Sequence, residues 1–400
     1  MRLLQAEIDK SLTVKLDKSI ISKGENVSGY MSFGKKNDYP EVIERIINNS
    51  VTAKAAARVY AKFLTGSGFE NETLNSIVIG KDSRGKKITL RSLLSQAATS
   101  VAYHNGFYFH CNMNLDREIG TVKLVPFKHC RFAKLDDRGY TAKIGVHENW
   151  HKEKDTKFEK EKITWYNIFN LDPAVFAAQV KEAKGIKGYK GQIYFHFYDN
   201  QYLYPLSPFD PAYMDADTEY QIQLFKNRAI RNGMMDKTVF RVAGTSDDAE
   251  NEELATGIKG FLGADGDSVL VLQDEVDDQG QIKKTGAFAI DSIKSNINDK
   301  LFENWEKNLA NNIRKSMAAI PAILIDYEES KLGTTSGEAI IQATNFYNAV
   351  TEDDRTQMQE IFEEIFSRSA NPDLKNNENW KIKKLELYVA PPIIQPAAGN

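Results

Sequence analysis

Two long helical stretches separated by a short insert constrain this chain more than any other feature. Residues 212–232 read as a helix closed by Gly233, with an apolar stripe of Tyr213, Ala216, Tyr220, Leu224 and Ile230. Its other face carries Asp217, Gln221, Arg228 and Arg231. Residues 295–319 read as a second helix ended by Pro321, a rod of roughly 35–40 Å at the α-helical rise. Between them, residues 234–292 read as a strand (KTVFRVA), a short helix (AENEELATGIKGFLG) and two more strands (SVLVLQ, IKKTGAFAI). Two helices that bracket a small α/β insert suggest a stalk with a tip. A stalk buries little surface alone, and its apolar stripes become covered when copies pack side by side. The pattern also permits a single globule with both helices packed on a sheet.

The rest of the chain supplies the root of that stalk. Apolar residues at Val42, Ile46, Ile47, Val51, Ala55, Val59 and Phe63 predict one helix over residues 40–64, stopped by Gly66 and Gly68. A second helix is predicted over residues 90–103. Residues 106–200 change to strand periodicity in GFYFHCNMN, TVKLVPFKHCRFAKL, YTAKIGVHENW, KITWYNIF and GQIYFHFYDN, joined by polar turns. The segment IPAILID reads as strand-like. A last long helix covers residues 338–368, with a kink at TEDD (351–354), where Thr351 followed by acids has the form of a helix start. The proline-rich end, residues 389–400, reads as a mobile tail. The fold class is therefore α+β.

Charge narrows the partners. The formal net charge is −3 and the pI about 6.2, whereas a chain gripping nucleic acid over a broad face is usually basic. Cys111 and Cys130 lie in strand-like apolar surroundings, which fits core thiols in a reducing cytoplasm. No apolar run reaches membrane-spanning length and no secretion signal opens the chain, so a soluble protein without membrane partners is expected.

Several motifs come close to chemistry and stop short. Residues 80–87 (GKDSRGKK) follow a strand-like stretch and precede a helix as a phosphate-binding loop does. That loop needs a Ser or Thr hydroxyl for Mg²⁺ after its lysine, and Lys87 stands there instead. Gly185, Gly188 and Gly191 lack dinucleotide-fingerprint spacing and fit a basic turn. His104, His110, Cys111, His129 and Cys130 include no CxxC or HExxH pair, so no metal is assigned. No GxSxG or serine triad appears. No cofactor and no catalytic centre are expected.

An acidic run is the strongest charge feature. Residues 244–280 hold eleven Asp and Glu and one base, Lys259. A solvated face explains this in isolation. Repeated around a ring, Asp247, Asp248, Glu250, Glu252, Glu253, Asp274, Glu275, Asp277 and Asp278 would form a negative collar that repels phosphate and offers charge to a docking partner.

The order of these parts resembles the portal (head-to-tail connector) proteins of tailed bacteriophages over residues 40–370. The stretches that carry the resemblance are NNSVTAKAAARVYAKFLTGSGF, VAYHNGFYFHCNMN with KLVPFKHCRF, LYPLSPFDPAYMDADTEYQIQLFKNRAIRNG, NDKLFENWEKNLANNIRKSMAAIPAILI with its Ile320-Pro321 pair, and SGEAIIQATNFYNAV. The resemblance implies a wing over residues 1–209, a first stem helix over 210–233, a clip over 234–292 and a second stem helix over 293–320. It further implies a strand and tunnel loop over 321–337, a kinked helix over 338–371, and a short tail over 372–400 with a reduced or absent crown. The tunnel-loop candidates are Asp326, Tyr327, Glu328, Glu329, Ser330, Lys331, Leu332, Gly333, Thr334 and Thr335, with Lys331 the one base. Lys300, Glu303, Lys307 and Arg314 lie off the Leu301–Trp305–Leu309 stripe, as lumen residues or simply solvent-facing ones.

The resemblance implies a dodecameric, non-enzymatic ring at one capsid vertex of the virion, assembled in the host cytoplasm. Double-stranded DNA would pass through it non-specifically. Its partners would be terminase, neck and adaptor proteins, and the major capsid and scaffold proteins. The rival readings are another structural virion ring protein, a nucleotide-dependent enzyme built on residues 80–87, and a free-standing DNA-binding module.

Overall fold

Ser50 divides what the apolar spacing presents as one helix. The computed structural model describes residues 26–27, 29–150, 162–231, 237–242, 288–293, 299–326 and 338–386. After a short ribbon of β1 (Asn26–Val27) and β2 (Tyr30–Met31), α1 spans Tyr39–Asn49 and α2 spans Val51–Thr65. Ser50 is extended at φ −90° and ψ 124°, and its hydroxyl accepts the Ala53 N–H at 3.0 Å. The cap satisfies an orphan donor at the head of α2, so a fresh start displaces the single helix predicted over residues 40–64.

The short α3 (Glu72–Ser76) leads into a hairpin of β3 (Val78–Lys81) and β4 (Lys87–Thr89). Helix α4 (Leu90–His104) is capped by Thr89, whose hydroxyl accepts the Ser92 N–H at 3.2 Å, and closes on Asn105 in the left-handed region at φ 61°. The main sheet contains β5 (Gly106–Met113), β6 (Ile119–Val125), β7 (Cys130–Phe132), β8 (Lys143–Val146), β9 (Thr164–Ile168) and β10 (Gln192–Phe197). The order across it is β6-β5-β10-β9-β8-β7, antiparallel except for β9 and β10. Parallel neighbours require a crossover. It is α5 (Pro173–Glu182), a helix absent from the strands-only reading of this stretch, capped by Asp172 accepting the Ala174 N–H at 2.7 Å.

Next come α6 (Tyr213–Arg231), an antiparallel ribbon of β11 (Lys237–Val242) and β12 (Phe288–Ile293), and α7 (Asp299–Ser316). The first strand expected of the insert is thus present, and β12 overlaps the end of the last expected strand (282–290) at residues 288–290, while residues 282–287 lie outside the described residues. The insert's short helix and its SVLVLQ strand lie outside the described residues. Helix α7 stops before Pro321 is reached, because Ala318 and Ala319 both turn left-handed at φ 54°. A 3-10 turn at Ala322–Leu324 replaces the strand expected after it, with the Leu324 N–H donating to Pro321 O at 3.0 Å.

The last long helix is two helices, α8 (Glu338–Val350) and α9 (Glu352–Phe366), meeting at Thr351, followed by α10 (Pro372–Lys375). The break falls where TEDD predicted it, but Thr351 does not cap α9. Its hydroxyl donates back to Tyr347 O at 2.8 Å, a local bond that bends a helix. Beyond α10 the chain still belongs to the fold. The Ser67 N–H donates to Lys383 O at 2.9 Å, the Lys383 N–H to Gly68 O at 2.8 Å, and the Glu70 N–H to Lys381 O at 2.8 Å. Gly66, at φ 54°, permits this approach, since a Cβ there would lie 2.0 Å from Lys383 O. The tail over residues 389–400 lies outside the described residues.

The chain falls into two compact units, one of residues up to 217 and from 310, the other of residues 218–309. In the first, one core joins α2, α4, the sheet and α9. Leu93, Leu94, Ala97 and Val101 are fully buried, and Phe362 meets Phe69 and Phe109 at ring distances of 5.7 and 5.9 Å. Arg131 is fully buried as well. Its guanidinium lies between the rings of Phe33 and Trp150 and donates to Asn37 Oδ1, Asn37 O, Lys128 O and Cys130 O at 2.6–3.0 Å. A buried guanidinium is tolerated because its donors are satisfied.

Candidate functional site: a helix-borne ribbon and a pinned helix break

The unit of residues 218–309 comprises α6 from residue 218, the β11–β12 ribbon and α7 up to residue 309. Of the side chains described in it, Ile222 alone among the hydrophobics is buried, while Phe225 and Trp305 are 47% and 49% exposed. Lys226 on α6 reaches Glu306 on α7 at 2.6 Å, and Glu303 pairs with Lys307 one turn along at 2.7 Å. Both pairs are solvated and therefore weak.

The second element is the break at Thr351, within the larger unit. Arg355, in the first turn of α9, is buried and donates to Phe63 O at 3.1 Å and Asn348 O at 2.9 Å. Tyr60 OH donates to Asp354 Oδ2 at 2.7 Å, and Tyr198 OH to Asp354 O at 3.1 Å. Burial raises the Asp354 carboxyl above its ordinary value, with the Tyr60 hydrogen bond opposing. Tyr347 OH donates to Met317 O at 2.9 Å, and Asn348 Nδ2 to Leu385 O at 2.8 Å. The C-terminal end of α8 is thus fixed to α2, to the segment after α7 and to residue 385, while its first turn is exposed to half-buried.

The sequence-derived candidates distribute unevenly over these elements. Arg314 donates to Asp326 Oδ2 at 2.9 Å and also bonds Asn311, and its side chain is 13% exposed. Glu303 and Lys307 are exposed on α7. Lys300 lies in α7, with its side chain outside the described residues. Asp326 is the described edge of the loop candidates, and the remainder, 327–335, lie outside, as do the nine acidic insert residues. Sequence reasoning missed Arg355, Tyr60 and Asn348, and read Asp354 only as one of the acids of a helix start. The acids of TEDD were visible, but the arginine after them gave no sign of burial.

Residues 80–87 form no phosphate cradle. Asp82 Oδ1 accepts the N–H groups of Arg84 and Lys86 at 2.9 and 2.8 Å, the Gly85 N–H goes to Asp82 O, and the Arg84 side chain closes on Asp82 Oδ2. These bonds, the Lys86 N–H first, hold the Asp82 carboxyl below its ordinary range. A carboxylate occupies the place an anion would need. Cys111 and Cys130 are buried thiols, and burial pushes Cys111 up to about 12. Among the described residues no cluster suits a metal ion, and no helix is long and apolar enough to cross a membrane.

No protein-family profile and no curated protein sequence matches the chain. Solved structures of similar backbone arrangement do exist. One is a chain from the neck of a native gene transfer agent particle treated with C12 symmetry, at 10% identity and TM-score 0.44, covering 77% of this chain and 75% of that one. Another, from the virion of the native particle, has 10% identity, TM-score 0.42 and coverages of 75% and 73%. An HK97-family phage portal protein from Corynebacterium diphtheriae has 8% identity, TM-score 0.36 and coverages of 76% and 84%.

Proposed function

We propose that this protein is a portal-type ring subunit, placed at one capsid vertex of a tailed-phage-like particle and acting as a passive channel for double-stranded DNA. The single observation that carries the reading is the unit of residues 218–309, two helices bearing a β-ribbon, with Phe225 and Trp305 about half exposed. Apolar side chains along a helix pair gain stability when neighbouring copies cover them. In this reading residues 210–233 and 293–320 are stem helices, 234–292 the clip that docks terminase and neck proteins, and 1–209 the wing. Residues 326–337 form the tunnel loop, and α8 with its fixed end is the lever behind it. The ring acts mechanically, and the ATP-driven motor is a separate protein docked at the clip.

Mass measurement and negative-stain electron microscopy of the purified chain test the reading. The expected result is a ring with a central channel and a mass of about 540 kDa, twelve chains of 45.2 kDa. A chain that stays monomeric at high concentration, alone and with its scaffold partner, refutes it.

A further inference from the structure

Between α2 and α4 lies a groove of about 620 Å³ whose charge contradicts that of the chain as a whole. The protein is net acidic, yet this groove is lined by Lys54, Arg58, Lys62 and Arg91 and by no carboxylate. All four cations are exposed, and none has an ion-pair partner among the described residues. Three of them recur every fourth residue along α2, on one face, at a rise of about 6 Å per step. Ser67 and Ser95 add hydroxyl donors along the same groove, whereas the hydroxyls of Thr65 and Thr99 already donate to Ala61 O and Ser95 O. A neighbouring groove that shares Ser67 and Arg91 is of mixed charge, with Glu70, Glu72, Glu352 and Glu386 beside Lys381, Lys383 and Lys384, so the carboxylate-free lining is particular to the α2–α4 groove.

We infer that the α2–α4 groove binds the sugar-phosphate backbone of double-stranded DNA. A straight row of evenly spaced cations on a rigid helix fits a polymer whose charges are themselves evenly spaced, and serine hydroxyls are ordinary phosphate donors. An acidic protein segment fits less well. The apolar lining is Ala57, Ala61 and Leu385 with Tyr103 as its single ring, short of the aromatic pocket that anchors a peptide. Contact is sequence-independent, because nothing in the groove is shaped to read base edges. The site lies wholly within the larger unit and does not depend on ring formation.

Fluorescence anisotropy with a labelled 20-base-pair duplex, titrated over a range of salt concentrations, tests this. Four phosphate contacts give a slope of about −3.6 in log affinity against log salt. Lys54→Glu/Arg58→Glu/Lys62→Glu should weaken binding at least tenfold and remove roughly three-quarters of that slope. A Gln triple serves if the Glu triple fails to fold. Lys184→Glu/Lys187→Glu, in the glycine turn, should bind as the parent does. Unchanged DNA affinity in a folded triple variant overturns the site. Preferential displacement of the duplex by poly-glutamate assigns the groove to an acidic protein and also overturns it. Loss of assembly with DNA affinity retained means a neighbouring copy covers the groove, with the same consequence. Because the ring is read by microscopy and the groove by anisotropy, either can fail alone.

Discussion

Arg355 and Phe63 are 292 residues apart in the chain, and the guanidinium of one donates to the main-chain carbonyl of the other at 3.1 Å inside the core. The same group holds Asn348 O, so one side chain ties the end of α2 to both sides of the helix break. Arg355→Leu leaves two buried carbonyls without donors and should cost about 2–4 kcal/mol. Urea denaturation of the purified chain measures it. A loss below about 0.5 kcal/mol would show that the break is held by apolar packing alone.

Gly66 and Gly139 give a matched comparison of strain and crowding. Both have positive φ, 54° and 83°, but a Cβ at Gly66 meets Lys383 O at 2.0 Å whereas one at Gly139 meets nothing within 4 Å. Gly139→Ala should cost about 1 kcal/mol, the conformational penalty alone. Gly66→Ala should cost at least about twice that, because the backbone of residues 381–383 must move away. Equal melting temperatures for the two variants would contradict this.

Acid sensitivity should centre on buried histidine. His104 stacks on Phe127 at 4.6 Å and shares Glu44 with Lys128, at 3.2 and 2.7 Å. Burial lowers the His104 pKa despite Glu44, so the contact at neutral pH is a hydrogen bond from a neutral ring. Burial alone would raise Glu44, but the hydrogen bonds and charges of His104 and Lys128 bring it below its ordinary value. Both folded-state values are depressed, so the unfolded chain takes up protons first. Stability is therefore full above the ordinary histidine pKa of about 6.5 and falls as pH drops below it, with Glu44 adding to the loss below about 4.5. His110, His129 and His196 are lowered by burial in the same direction. His104→Gln should flatten, without abolishing, the decline in melting temperature between pH 6.5 and 5. A profile parallel to that of the parent would remove His104 from the explanation.

Assembly and monomer stability should separate on α7. Trp305 is half exposed, and Lys226 and Glu306 form a solvated pair. Lys226→Ala should change monomer stability by less than about 1 kcal/mol. Under the portal reading Trp305→Ser lowers the fraction in rings, read by mass photometry, by more than its effect on monomer unfolding accounts for. Full assembly of Trp305→Ser would place the subunit contact elsewhere.

The positions of most elements were legible in the sequence because period and turn chemistry are local. The helix break at residue 351 and the ends of α2 and α4 announced themselves in this way. The split at Ser50 was legible in principle from a good capping residue, but an unbroken apolar stripe on both sides outweighed it. Helix α5 was signalled by Asp172-Pro173, a cap followed by a favoured first residue, and was hidden by strand-like neighbours. The insertion of β10 between β5 and β9 was not legible, since strand order depends on contacts far apart in the chain. For the same reason the partners of Arg355 lay beyond reach, while the cations of α2 were visible but drew no attention in a mildly acidic chain.

The seam between Gly66 and Lys383 also sets a clock. On a ribosome, the end of α2 emerges long before the segment 381–383 that closes it. At roughly 5–20 residues per second, some 15–60 seconds separate the two. Through that interval Phe69 lacks Trp380, its ring partner at 5.8 Å, and the main-chain groups of residues 67–70 lack the bonds that residues 381–383 provide. The nascent chain thus carries an open edge until residues 381–383 are made, and a ribosome-bound chain stalled at residue 376 should be cut by protease near residues 66–70 where the finished protein is not.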